Sequence, residues 1–242
     1  MEDLDSEYHR PDSTRIRALV LFSGGQDSTT CIAWALGRYR EVVTLGFDYG
    51  QNHSVELACR KDILRALGAD YDWVGSLGAD YVIDLSFIAT LGQNSLTSLT
   101  PITRLKTGLP STFVPGRNLF FVTAAASLAY QLDINEIIIG ACDTDYSGYP
   151  DCRRDTLLSL EKTISLGMDT SFLLRAPLMN LDKAKIWELA DNLGGEAFVR
   201  LIKEKTHSCY MGDRTIMHEW GYGCGKCPAC LIRSKGFESF VR

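Results

Sequence analysis

No stretch of about 18 consecutive apolar residues occurs in this 242-residue chain, so the sequence predicts no membrane-crossing helix. Basic charge is in short supply too. The 25 Lys and Arg stand against 30 Asp and Glu, and a net charge of -5 argues against a broad surface for nucleic acid. The one local excess, from Arg200 to Arg242, is modest and interrupted, and reads as a solvated face. Residues 1–16 are acidic and polar, without the apolar centre of a signal peptide; the expectation is a disordered tail on a cytoplasmic protein. No internal repeat and no linker-like break in composition is found. With 45% hydrophobic residues and seven prolines, the chain can bury a sizeable core. Eight cysteines without an export signal point to metal ligands or small core residues, not to a disulfide framework.

What is present alternates strand and helix. Arg17–Phe22 is an apolar run ending at a glycine pair, as a buried strand would be. Ser28–Arg38 has helical spacing through Cys31, Ile32, Ala35 and Leu36. Val42–Asp48 reads as a second strand, Ser54–Leu67 as a helix closed by Gly68, and Asp72–Leu77 as a weaker third strand. Strand–helix alternation of this kind implies an α/β fold with a doubly wound, mostly parallel sheet. Residues 90–112 lack a period, as an active-site lid or a disordered loop would. Asn118–Tyr130 reads as a buried helix, Glu136–Gly140 as the most central strand, and Asp182–Leu193 as an amphipathic helix. The domain expectation is a tail over 1–16, a nucleotide and substrate domain over 17–203, and a cysteine-bearing segment over 204–242 packed on it.

The segment Ser23-Gly24-Gly25-Gln26-Asp27-Ser28 lies where a strand feeds a helix. Two glycines let the backbone approach an anion closely. Amides and the Ser23 and Ser28 hydroxyls can then donate to phosphate oxygens at a helix N-terminus. Asp27 fits an anion site only if Mg²⁺ bridges carboxylate and phosphate. The plainer reading is a tight turn with Asp27 or Ser28 as an ordinary cap. The Gly-Lys-Ser/Thr ending of a Walker A loop is missing, which disfavours kinase chemistry.

Cys224, Cys227 and Cys230 are spaced by two residues, and Cys209 lies 15 positions earlier. Four thiolates so spaced can close a tetrahedral shell on structural zinc, and an iron–sulfur cluster is the rival occupant. Pro228 is placed to open the last helix. Cys31 and Cys59 fall on helices as core residues. His207 and His218 are bystanders when four cysteines are available.

Three polar stretches complete the pattern. Thr112–Asn118 carries one cation, Arg117, just before a buried helix. Gly140–Arg153 follows a strand at its carboxyl end, where open α/β sheets bind ligands. Asp143, Asp145, Tyr149 and Asp151 within it can face a planar heterocycle; each stretch alone is also compatible with a surface loop. Phe47–Gln51 ends the second strand beside the phosphate loop.

The Ser23–Ser28 hexapeptide resembles the signature of the PP-loop, or N-type ATP pyrophosphatase, enzymes, which split ATP into AMP and pyrophosphate. Phe22–Cys31, Phe47–Gln51, Thr112–Asn118, Thr144–Arg153, Ser165–Met168, Ala176–Met179 and the cysteine cluster together resemble the 7-cyano-7-deazaguanine synthase branch, over roughly Arg17 to Gly236. Departures are the acidic tail and a longer stretch between Met211 and Gly223. The resemblance implies a carbon–nitrogen ligase of queuosine biosynthesis. Its substrates would be ATP, 7-carboxy-7-deazaguanine and ammonia, with an adenylated carboxylate and then an adenylated amide as intermediates. It also implies a homodimer with one structural Zn²⁺ per chain and Mg²⁺ entering with ATP. ATP would be held by Phe22, Ser23, Gly24, Gly25, Gln26, Asp27, Ser28, Thr29, Thr30, Cys31, Ile32 and Asp48, with Asp27, Ser28 and Arg117 in the chemistry. Asp143, Asp145, Tyr149, Asp151 and Arg153 would hold the deazapurine. The alternatives are another PP-loop enzyme, such as a tRNA-thiolating one, or a zinc-ribbon binding module without catalysis.

Overall fold

The computed structural model describes residues 16–69, 71–98, 100–142 and 148–242. The tail expected over 1–16, apart from Ile16, and the candidate residues Asp143 and Asp145 lie outside the described residues.

Five parallel strands form the main sheet: β1 (Arg17–Leu21), β2 (Glu41–Asp48), β3 (Ser76–Asp84), β4 (Glu136–Ile138) and β5 (Leu173–Arg175), in the order β3-β2-β1-β4-β5. Alternation along each strand decides which face its side chains bury. Ala18, Val20 and Val42 face one cluster, whereas Leu19, Leu21, Val43 and Leu45 face another. The first cluster is covered by α1 (Gln26–Leu36), α2 (Val55–Ala69), α5 (Lys183–Lys205) and α6 (Pro228–Phe240), the second by α3 (Arg117–Gln131) and α4 (Arg154–Gly167). This is the doubly wound α/β architecture that the strand–helix alternation implies.

Several boundaries differ from expectation. The third strand begins at Ser76 and runs to Asp84, well past the predicted Asp72–Leu77. It is an edge strand with much of its length exposed, so it lacks the apolar run that marks a buried strand. Gly68 does not close α2, which continues through it to Ala69. The most central strand is β1, flanked by β2 and β4, and not Glu136–Gly140, whose regular part stops at Ile138. In α5, Gly194 and Gly195 break helical geometry, with Gly195 at φ 63°, so the amphipathic run predicted to Leu193 ends at a kink and a second helical piece follows.

Pro228 does open α6, at the position where a missing N–H costs nothing. The stretch between Met211 and Gly223 holds a small antiparallel ribbon, β6 (Met217–His218) with β7 (Gly221–Tyr222). The segment over 90–112 folds on itself: Ser95 N–H donates to the Ser111 carbonyl at 2.8 Å, and the Ser95 and Ser111 hydroxyls lie 2.6 Å apart.

Candidate active site

In the sheet order, β1 is followed on one side by β2 and on the other by β4. A crevice therefore opens beyond their carboxyl ends, where α/β sheets receive ligands. A cavity of about 340 Å³ lies there. Phe22, Ser23 and Gly25 follow β1 into it, and Ile139–Cys142 leave β4 into it.

The Ser23–Ser28 turn is bound to itself. Gly25 N–H donates to the Ser23 hydroxyl at 3.1 Å, Ser23 N–H to the Ser28 hydroxyl at 3.2 Å, and the two hydroxyls lie 3.1 Å apart. Gly24 sits at φ 98°, and a Cβ there would overlap the Glu56 carbonyl oxygen, so glycine is required on both conformational and steric grounds. Gly25 is the N-cap of α1, and no side chain accepts from the first turn. The plainer reading, with Asp27 or Ser28 as cap, therefore fails. The positive end of α1 faces the cavity without a side-chain acceptor of its own. Thr29 and Thr30 turn their hydroxyls back to the carbonyls of Gly25 (2.7 Å) and Gln26 (3.0 Å), and with Cys31 and Ile32 they are fully buried and do not line the cavity. Burial, and secondarily Asp27, pushes the Cys31 thiol well above its ordinary value, in keeping with a core residue.

Asp27 lines the cavity in an arrangement the sequence reading missed. Its Oδ2 meets Lys183 Nζ at 2.5 Å, while its Oδ1 is buried without a partner. Lys183 is the first residue of α5, positioned by the Asp182 side chain, which caps that helix through Lys185 N–H at 2.9 Å. A lysine after a capping aspartate is an ordinary helix start, and nothing local marks it as a site residue.

Arg117 opens α3 and lies over three aromatic rings, Tyr49 (5.5 Å), Phe121 (5.8 Å) and Tyr149 (5.8 Å). Its Nε is buried with no partner. Burial works against its charge, and the nearby Tyr49, Tyr149, Cys152 and Asp151 outweigh that, so Arg117 is a fixed cation in the cavity wall. Tyr149 also lines the cavity, buried, with its hydroxyl 2.6 Å from that of Thr112.

Three further expected site residues sit elsewhere. The Asp48 carboxylate is exposed and accepts from Gly50 N–H at 3.1 Å, closing a turn. Asp151 is buried, and its Oδ2 accepts from Asn118 N–H at 3.0 Å, so it holds the start of α3 and with it Arg117. Arg153 is exposed at the N-cap of α4. None of the three lines the cavity.

Residues that the sequence did not flag do line it. Glu56 lies in the first turn of α2, half-buried, with its carboxyl pushed up to about 7 by burial. Arg117 and Arg233 pull it down, and Asp27 adds to the rise. His207 is buried with neither ring nitrogen partnered, and its backbone N–H donates to the Gly24 carbonyl at 3.1 Å. Thus Gln26, Asp27, Arg117 and His207 each bring an unpartnered buried polar atom to one cavity, a pattern that a polar ligand would satisfy.

The same cavity touches the cysteine cluster through Cys209. The ligand atoms of Cys209, Cys224, Cys227 and Cys230 all lie within 4.8 Å of one another. Cys224 and Cys230 sulfurs are 3.9 Å apart and those of Cys227 and Cys209 4.0 Å, close to the roughly 3.8 Å edge of a tetrahedron with metal–sulfur bonds of about 2.3 Å. Backbone N–H groups of Cys224 and Cys227 point at the sulfurs of Cys209 (3.4 Å) and Cys224 (3.3 Å). Hydrogen bonds from Cys227 and Cys230 drive the Cys209 thiol well below its usual range. The four residues fit a closed metal site.

The chain matches a family model, queuosine biosynthesis protein QueC, over residues 17–241. The chain belongs to the QueC family. It is 54% identical to the 7-cyano-7-deazaguanine synthase of Burkholderia lata over 226 residues, 93% of each chain. With the 7-cyano-7-deazaguanine synthase of Burkholderia ambifaria it shares 53% identity over the same lengths. Among solved structures it is similar to a 4-thiouridine synthetase–RNA complex with bound ATP, with a TM-score of 0.50 at 19% identity. That match covers 93% of this chain and 53% of the other, and shows a shared fold. The QueC family assignment thus agrees with the PP-loop architecture, and with a cysteine cluster able to hold a metal ion.

Proposed function

We propose that this QueC-family chain is a 7-cyano-7-deazaguanine synthase, an ATP-dependent carbon–nitrogen ligase acting on the free base 7-carboxy-7-deazaguanine with ammonia. The observation that carries the reading is the convergence of an uncapped α1 start, the Asp27–Lys183 pair and the Arg117 cation on one cavity at the sheet's switch point. A carboxylate is a poor electrophile because its oxygen leaves badly, and adenylation converts that oxygen into AMP. The Ser23–Ser28 turn suits the departing pyrophosphate, whose charge the loop amides and Lys183 would stabilise. Asp27 Oδ1, buried without a partner, would help hold Mg²⁺ arriving with ATP, which would neutralise phosphate charge. Arg117, fixed on its aromatic bed, would hold the substrate carboxylate or the α-phosphate.

Ammonia displaces AMP to give an amide. A second ATP then activates the amide oxygen, and loss of AMP leaves the nitrile. With one phosphate loop, both adenylations use the same Ser23–Ser28 turn in succession. Tyr149, and Asp143 and Asp145 beyond the described residues, are proposed to face the deazapurine. The cysteine cluster is proposed to hold one structural Zn²⁺, since a closed four-thiolate shell leaves no position for substrate. A cytoplasmic homodimer completes the reading. Its test is pyrophosphate release from ATP that requires both 7-carboxy-7-deazaguanine and ammonia and needs no RNA. Release that requires tRNA instead would favour a thiolating PP-loop enzyme.

A further inference from the structure

Two carboxylates line the cavity among the described residues, Asp27 and Glu56. Asp27 is committed to Lys183. The Glu56 side chain makes no hydrogen bond or ion pair among the described residues, although a Cβ built on Gly25 would stand 3.4 Å from its Oε1. An unengaged carboxylate therefore lies against the wall of the phosphate loop, on the rim where α2 begins. The synthase reaction moves protons off nitrogen twice, and it needs a group to receive them. We propose that Glu56 is that proton acceptor, serving the nitrogen that ends in the nitrile; the proposal rests on the synthase reading above.

The charged groups that face Glu56 come from three other elements: Asp27 on α1, Arg117 on α3 and Arg233 on α6. Arg60, on its own helix, is engaged elsewhere, with the Phe22 carbonyl and Asp80. Arg233 is likewise engaged, with the carbonyls of Trp220 and Ile202. No cation is bound to the Glu56 carboxylate among the described residues, so burial raises its proton affinity, to about 7. A group so poised suits proton transfer at working pH.

In the first half-reaction Glu56 takes one proton from ammonium. The ammonia so formed attacks the acyl carbon, the bond from carbon to the AMP oxygen breaks with its electron pair going to AMP, and the surplus N–H proton leaves on the AMP phosphate. In the second, the oxygen-adenylated amide carries two N–H protons. One passes to Glu56, the carbon–oxygen bond breaks with its electrons going to AMP, and the other proton leaves with the AMP phosphate, giving the triple bond. Solvent returns Glu56 to its carboxylate between steps. Arg117, which lines the same cavity, can hold the leaving side while Glu56 holds the nitrogen side.

The test uses synthetic amide as substrate, because ammonium's own ionisation then drops out of the pH profile. With ATP and saturating Mg²⁺, wild-type kcat for nitrile formation should rise with pH through an apparent value near 7 and level off. Glu56→Gln should lose that limb and fall about 100-fold or more, the usual scale of a lost general base. Glu56→Asp should retain a limb with a smaller loss, and carries the test alone if the glutamine variant does not fold. Circular dichroism and ATP binding check the fold of each variant. A limb that survives in folded Glu56→Gln overturns the proposal. So does a variant whose sole change is a higher Mg²⁺ requirement, which would make Glu56 a metal ligand. In a Glu56→Asp protein tested alone, a rate and profile equal to wild type would overturn it as well. A wild-type enzyme that converts neither acid nor amide to nitrile overturns the synthase reading itself.

Discussion

Lys183 Nζ and Asp27 Oδ2 meet at 2.5 Å across 156 positions of sequence, joining the first turn of α1 to the first residue of α5. The pair fixes the helix that follows the phosphate loop against the helix that leads to the cysteine cluster. Removing either side should cost catalysis more than fold. Asp27→Ala is expected to abolish nitrile formation with circular dichroism unchanged, and activity within tenfold of wild type would remove Asp27 from the mechanism. Lys183→Met should lower kcat at least 100-fold and stability by about 1.5–3 kcal/mol, the scale of a hydrogen bond to a charged group. The double variant should lose much less than the sum, because each partner is spoiled by loss of the other.

Arg117 should not be replaceable by lysine. Its guanidinium lies over Tyr49, Phe121 and Tyr149, and its fixed fork of donors is one that an ammonium does not reproduce. We expect Arg117→Lys and Arg117→Met to lose comparable amounts of kcat/KM for the acid, at least 100-fold each. A lysine variant close to wild type would show that a bare positive charge suffices.

The metal site should be part of folding. One Zn²⁺ per chain is expected by elemental analysis, and Cys227→Ser should be metal-poor and much less stable, since such sites can carry on the order of 10 kcal/mol of apparent binding energy. Because Cys209 also lines the active cavity, ATP binding should weaken together with metal loss. Iron with inorganic sulfide, or a metal-free Cys227→Ser protein as stable as wild type, would contradict this.

Glu56 should also leave a mark on stability against pH. Its folded value of about 7 lies above the ordinary 4.5, so the folded state binds its proton more tightly than the unfolded state does. That favours folding fully at and below pH 4.5 and is lost as pH rises towards and through 7. The change is bounded by about 3.5 kcal/mol at roughly 1.4 kcal/mol for each unit, and solvent reaching the cavity reduces it. Urea midpoints at pH 5 and pH 8 for wild type and Glu56→Gln test it. The wild type should lose more stability than the variant on going to pH 8, and equal losses would contradict the assignment.

Features whose chemistry is local were legible in the sequence. Gly24 and Gly25 after an apolar run, and cysteines two apart, announce a close backbone approach and a thiolate shell by themselves. Lys183, Glu56 and His207 enter the site through packing of α5, α2 and the Cys209 loop, and no local pattern distinguishes them from surface or core residues. Asp151 shows the converse. It looked like a ligand-facing acid, but in the fold it holds the start of α3, because the buried Asn118 N–H needs an acceptor. The third strand was misplaced because an exposed edge strand has no continuous apolar signal, whereas the buried β1 and β2 stood out.

The central claim is that one phosphate loop activates the same substituent twice. The most direct measurement is a mass-spectrometric time course with 7-carboxy-7-deazaguanine, ammonia, ATP and Mg²⁺, without RNA, following acid, amide, nitrile and AMP. The account predicts nitrile with two AMP for each molecule formed, and conversion of externally supplied amide with one. Absence of nitrile, or synthetic amide that is never converted in the presence of ATP and Mg²⁺, would contradict it.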